Sequence, residues 1–298
     1  MFHRRKFLTA LAAAPVVMPA FAKAAVFSNA PPSALSSRIN ELEQRSGGRL
    51  GVAVLDTHTG RQFAWRGDER FRMCSTFKAP LAAAILRRVD QGRERLDRKI
   101  VYGREVLMGN SPVVEKHVGQ GMTVGDLCQA TIAWSDNAAA NLLLDALGQN
   151  GPADLTRFLR AIGDKTTRCD RREPELNTGT PDDLRDTTSP AAIAQTWRTL
   201  FTTDTLTPAS RKQLTTWVVG NRTGDKRLRA GLPKGWRVGD KTGNNGVDTT
   251  NDVAIVWPPG RKPLVIASFH DRGSSDDDVR SAVLADVARA VVAAGFGG

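Results

Sequence analysis

Short runs of strand-forming residues occupy both ends of this chain, and a long Ala- and Leu-rich stretch separates them. LGVAVLD (50–56) and RQFAWRG (61–67) flank the turn His58-Thr59-Gly60, which predicts a hairpin. Strand texture returns only in WRVGDKTG (236–243), NDVAIVWPP (251–259) and KPLVIASFHD (262–271), the last two joined by the turn signal Pro-Pro-Gly-Arg-Lys-Pro. Between them MTVGDLCQATIAWS, NAAANLLLDALG and PADLTRFLRAIG read as helices, the last opening near Pro152 and closing at Gly163. Strands this far apart share a sheet only if the chain returns at its end to where it began. The expectation is a two-domain α/β fold: an antiparallel five-stranded sheet covered by terminal helices, plus an all-α domain inserted into it. The α/β part takes residues 25–72 and 220–298, and the all-α part 73–219. Leu35, Ile39 and Leu42 give the first terminal helix its apolar face. Val279, Val283, Val287 and Val291 give the last helix a stripe, with Asp276, Asp277 and Asp278 at its positive end. The stretch 169–189 has no period and reads as a long functional loop.

The first 24 residues are read apart from the fold. MFHRRKFLTALAAAPVVMPAFAKA has a basic start, an apolar middle and small residues at its end. Arg4-Arg5 followed by Lys6-Phe7-Leu8 resembles a twin-arginine export signal, so residues 1–24 are expected to be removed on export. The destination is the periplasm, or the medium if the source has no outer membrane. With no cysteine near the cleavage sites and no other long apolar segment, no membrane anchor is expected after processing. Four of the eleven net positive charges lie in this segment, so cleavage after Ala24 leaves +7. The remaining charges alternate in sign, as in RRVDQGRERLDRK, which suits solvated helix faces rather than a nucleic-acid stripe. The histidines are isolated, and Cys74, Cys128 and Cys169 are too far apart for a zinc knuckle, so neither a metal nor another cofactor is expected. An odd cysteine count leaves at least one free thiol.

The chemistry is concentrated in four short motifs: Ser75-Thr76-Phe77-Lys78, Ser135-Asp136-Asn137, Glu173-Pro174-Glu175-Leu176-Asn177 and Lys241-Thr242-Gly243. A serine hydroxyl needs a nearby base to act as a nucleophile near neutral pH. No histidine is set in a pattern that suggests a Ser-His-Asp triad. Lys78 follows Ser75 by one helical turn on the same face, and a lysine serves as base if neighbouring positive charge lowers its pKa. Taken singly, Ser135-Asp136-Asn137 is a helix cap and Lys241-Thr242-Gly243 a strand end. Their joint order decides against that.

Together the motifs resemble those of class A serine β-lactamases, over a span from about residue 33 to the C-terminus. The resemblance implies the fold shared with penicillin-binding transpeptidases and the hydrolysis of penicillins and cephalosporins through a serine acyl-enzyme. It implies Ser75 as nucleophile, Lys78 as its proton partner, Ser135 as proton relay to the leaving nitrogen and Glu173 as base for deacylation. Asn177 helps hold the hydrolytic water, and Asn137 binds the acylamino side chain. Lys241 and Thr242 of the Lys241-Thr242-Gly243 strand meet the substrate carboxylate, and Lys241 biases Lys78. The backbone N–H groups of Ser75 and Asn244 form the oxyanion hole. Whether Lys78 or Glu173 is the acylation base is left open. The partner is then a small β-lactam, and the chain acts as a monomer.

The sequence departs from the family pattern in places. Asn110 stands where many relatives carry an aromatic ring. Cys74 faces Asn245, and Cys128 faces Ala82, where some relatives have the second cysteine of a bridge, so no disulfide is expected. Thr250 holds a position often given to a carboxylate-binding arginine, and Arg227 is the expected substitute, with Arg222 and Arg229 as nearby alternatives. Arg171 and Asp186 resemble the ion pair that pins the long loop. Two other readings share the nucleophile: a penicillin-binding D,D-peptidase and a non-hydrolysing β-lactam sensor. Glu173 and Asn177 argue against the peptidase, and steady-state turnover of a chromogenic cephalosporin separates all three.

Overall fold

The five-stranded antiparallel sheet forms from both ends of the chain. In the computed structural model, which describes residues 34–298, its order is β2-β1-β9-β8-β7. The expected export signal lies outside the described residues. Strand β1 (Arg49–Asp56) pairs with β2 (Gln62–Trp65) on one side and with β9 (Leu264–Asp271) on the other. Strand β8 (Thr250–Trp257) joins β9 to the edge strand β7 (Arg237–Asn244). Side chains alternate between two apolar layers, as the period of two demands. Val52, Val54, Ala254, Val256 and Ile266 face a cluster shared with helices α1 (Ala34–Ser46) and α9 (Asp277–Ala293). Ala53, Leu55, Val253, Ile255 and Ala267 face the larger cluster that continues into the helical middle.

That middle runs through α2 (Lys78–Asp90), α3 (Val124–Ala133), α4 (Asn137–Leu147), α5 (Gly151–Ala161), α6 (Pro190–Thr202) and α7 (Pro208–Val219), and a single turn, α8 (Leu228–Gly231), precedes β7. Local chemistry sets several starts. Thr123, Asp136, Ser189 and Thr207 each accept a backbone N–H inside the first turn, a cap worth about 1 kcal/mol. Gly163 takes a positive φ of 95° just past α5, as expected. Helix α2 is buried through most of its length, from Lys78 to Leu86, and packs against α3, α4, α5 and α7. Two short pairings escaped the sequence reading: β3 (Phe71–Arg72) with β6 (Thr187–Thr188), and β4 (Lys99–Ile100) with β5 (Met122–Thr123). The valine stripe of α9 needs correction: Val283, Val287 and Val291 are buried, but Val279 is 46% exposed. The helix starts only at Asp277, so Val279 sits in its first turn, where Asp277 and Arg280 rather than Val279 meet the sheet at Thr250. Among the described residues, no helix is long and apolar enough to cross a membrane.

Candidate active site

Ser75 lies in one turn of 3-10 helix, Cys74–Phe77, that feeds directly into α2. The turn rests on the sheet. Asn251 of β8 donates from Nδ2 to the carbonyls of Arg72 (2.9 Å) and Met73 (3.1 Å). Gly243 of β7 approaches so closely that a Cβ there would lie 2.6 Å from the Met73 carbonyl oxygen. Only glycine permits this contact, and it brings the end of β7, with Asn244, beside Ser75.

Lys78 is fully buried at the start of α2. Its ammonium donates to the Ser135 carbonyl (2.8 Å) and Asn137 Oδ1 (2.6 Å), and lies 3.4 Å from Ser135 Oγ. It also lies 3.0 Å from Glu173 Oε1, and the Ser75 hydroxyl donates to that same oxygen at 3.3 Å. Asn177 Nδ2 donates to Glu173 Oε2 at 2.5 Å. From the opposite side, the Lys241 ammonium donates to Ser135 Oγ (3.1 Å) and to the Thr242 carbonyl (2.9 Å). Ser135 thus stands between two buried lysines. It holds a left-handed φ of 55°, and the next residue, Asp136, fixes it there. Asp136 Oδ1 caps α4 at Ala139 (2.9 Å), while Oδ2 accepts from Val113 (2.9 Å) and Val114 (3.0 Å).

Burial holds both lysines below the ordinary value. For Lys78 the negative charge of Glu173 opposes that effect. For Lys241 the charge of Lys78 adds to it. Loss of water, rather than a neighbouring cation, is therefore the leading cause at Lys78, which corrects the sequence expectation. Behind β7, burial pushes the Asp240 and Asp252 carboxyls up, with Arg229 opposing at Asp240.

The long loop carries Glu173 inward. Asp186 accepts from the backbone N–H groups of Asp170 (2.7 Å) and Arg171 (2.9 Å) and from Arg171 Nε (2.6 Å). This is the pairing read from the sequence, with two further bonds. Asn141 clamps Glu173 itself, accepting from its N–H (3.1 Å) and donating to its carbonyl (2.9 Å).

The structure brings Ser75, Lys78, Ser135, Asn137, Glu173, Asn177 and Lys241 into one hydrogen-bonded cluster. Thr242 adjoins it and bonds Thr223 Oγ1 at 2.5 Å. Asn244 turns its amide to Asp277 (2.5 Å), which leaves its backbone as the part near Ser75. Arg227 is 7% exposed and does not join the cluster. Its Nη1 donates to the carbonyls of Gly243 (3.0 Å) and Asn251 (2.9 Å), and its Nη2 lies 3.6 Å from Asp277. Arg229 is bonded to the buried Asp240, and Arg222 lies over the Trp134 ring. Thr250, read as a vacant arginine position, accepts from Arg280 Nε at 2.8 Å. Sequence reasoning missed Asn141, Asn251, Thr223 and Arg280. Only Asn141 had a local signal, lying four residues after Asn137 on the same helix. All three cysteines are buried and free, and burial pushes the Cys74 thiol up to about 12. Among the described residues, no group of three His, Cys, Asp or Glu side chains could hold a metal ion.

Residues 34–294 match the model of the β-lactamase enzyme family. The solved class A β-lactamase of the last common ancestor of Gram-negative bacteria is 65% identical, with a TM-score of 0.86 over 88% of this chain and 99% of that one. This chain belongs to the class A β-lactamase family. β-Lactamase L2 of Stenotrophomonas maltophilia is 45% identical over 298 residues, covering 97% of this chain and 98% of its own. The carbapenem-hydrolysing β-lactamase KPC of Klebsiella oxytoca is 48% identical over 84% of this chain and 85% of its own. As a β-lactamase, the protein hydrolyses β-lactam antibiotics and so gives resistance to them.

Proposed function

We propose that this β-lactamase works through a serine acyl-enzyme in which Ser75 is the nucleophile and the Lys78–Glu173 pair moves its proton. The observation that carries this is the single carboxylate oxygen, Glu173 Oε1, shared by the Ser75 hydroxyl and the Lys78 ammonium, with the Lys78 and Glu173 side chains both buried. In acylation Ser75 Oγ bonds to the lactam carbonyl carbon, and its proton passes to the pair. The ring C–N bond then breaks, and Ser135, between two ammonium groups, hands a proton to the leaving nitrogen. Protons within such a coupled pair belong to both groups. The backbone N–H groups of Ser75 and Asn244 stabilise the developing oxyanion, where one donor is worth about 2.7–4 kcal/mol. In deacylation Glu173, with Asn177, takes a proton from water as the water oxygen bonds to the acyl carbon; the ester C–O bond then breaks and the proton returns to Ser75 Oγ. Lys241 and Thr242 receive the ring carboxylate, with Arg227 adding positive charge through the β7 backbone. Asn137 receives the acylamino group.

The same reading makes the enzyme an exported monomer, released to the periplasm after loss of a twin-arginine signal at residues 1–24. Its two domains divide near residues 72 and 219. A D,D-peptidase or a sensor would need no carboxylate placed as Glu173 is. The test is mass spectrometry after mixing with a penicillin. Ser75→Ala should form no adduct, and Glu173→Ala should accumulate a stable adduct of the penicillin's mass. Turnover by Glu173→Ala at the wild-type rate would show that another group activates the water.

A further inference from the structure

Asn177 belongs to the cluster around Ser75, and Asn244 ends the strand that lies beside it. Both residues also line a cavity of about 550 Å³ that runs between the long loop, at Gly179–Pro181, and the turn joining β7 to β8. Arginines 49, 70, 72 and 272 stand on its walls. Arg49 is neutralised by Asp271 at 2.7 Å and Glu69 at 3.1 Å. The other three are not. Arg72 donates to the Gly179 carbonyl (2.7 Å), and Arg70 donates to Thr187 Oγ1 (3.0 Å) and the Thr166 carbonyl (2.6 Å), all neutral acceptors. Arg272 is exposed at the rim, at a positive φ of 58°. Among the described residues none of these three forms an ion pair. Of the acidic wall residues, Asp271 is held by Arg49, and Asp183 by Arg185 (2.8 Å) and Arg171 (3.8 Å). Asp248 alone has no cation, and it accepts from Asn245 Nδ2 and Thr249 Oγ1 in its own turn. The cavity is therefore net positive.

We propose that this cavity receives a carboxylate carried on the acyl side chain of the β-lactam, held by Arg72 and Arg272, so that the enzyme favours substrates with an anionic side chain. The inference rests on the acyl-enzyme reading above, which fixes the substrate's direction. With the lactam carbon at Ser75 and the ring carboxylate at Lys241 and Thr242, the acylamino arm leaves past Asn137 and Asn177. It then enters the cavity. A second carboxylate finds there two guanidinium groups with free N–H donors, planar and permanently charged.

The test uses two cephalosporins with one nucleus, one with an oxyimino side chain ending in a carboxylate and the other its methyl ester. kcat/KM is measured for each, together with competition against a chromogenic cephalosporin. The wild-type enzyme should prefer the acid by about tenfold, and added salt should shrink the preference. Arg72→Gln with Arg272→Gln should bring the ratio near one. Arg272→Gln alone must lower it, since among the described residues that side chain makes no hydrogen bond or ion pair. Arg272→Lys should restore part of it. Equal treatment of acid and ester by the wild type, or a preference that survives the double substitution, would overturn the proposal. Failure of the underlying mechanism reads differently, as loss of turnover of an unsubstituted penicillin.

Discussion

At the scale of single residues, this site is a set of buried charges that solvation opposes. Lys241 is fully buried and held well below the ordinary lysine value of 10.5. Since its folded-state pKa lies below the unfolded one, the folded chain binds fewer protons between the two. Stability therefore rises with pH through that window. Lys241→Met should remove most activity yet unfold at an equal or higher denaturant concentration near neutrality. That advantage should shrink as the pH approaches 10.5, and a pH-independent gap would mean the buried ammonium is not its source. A second expectation separates two neighbouring arginines. Arg229 is bonded to Asp240, whose side chain is fully buried. Arg229→Ala should thus cost about 3 kcal/mol of stability, since it strands a buried carboxylate. Thermal melts would register this as a fall of several degrees. Arg227→Ala should act mainly on kcat/KM for penicillins, by about tenfold or more. Arg229, a nearby alternative in the sequence reading, is thus committed to Asp240 rather than to the substrate.

At the scale of elements, the long loop and the strand β7 are positioned by different means. The loop depends on one carboxylate, Asp186, that gathers three donors. Arg171→Ala removes the only charged one. Deacylation should slow by about tenfold or more, since an ångström of drift at Glu173 is enough. Acylation should change much less, and burst kinetics would resolve the two steps; equal slowing of both would put the loop's role elsewhere. These elements also show what was legible in the sequence. The hairpin of β1 and β2, the three C-terminal strands and the helix caps carry local signals of alternation, turn residues and capping side chains. The two-residue strands β3 to β6 carry none, because two residues have no period. Asn251 and Thr223 were invisible for a related reason: their partners lie far away in sequence, at Met73 and Thr242. Ser75, Lys78, Ser135, Glu173 and Lys241 were legible only as a set, since each alone fits a cap, a surface charge or a strand end.

At the scale of the whole molecule, the two apolar layers put the sheet between the terminal helices on one face and the helical middle on the other. The cysteines report on this directly. Cys74, Cys128 and Cys169 are all buried, and none is within a disulfide. Native protein should react with a thiol reagent only as fast as it opens, and the denatured, unreduced chain should give all three thiols. A count of one would reveal an unforeseen bridge. The sheet order has a further consequence, for how the protein is made. Strand β1 lies between β2 and β9, and α1 packs on α9. As the ribosome extends the chain, β1 emerges early and then waits through some two hundred residues for its second neighbour. Until the last strand leaves the exit tunnel, one edge of the hairpin stays open and the face meant for α9 stays wet. A nascent chain stalled before Leu264 should therefore hold its helical middle without a finished floor, and it would be a natural target for whatever shields unfinished proteins in the cell.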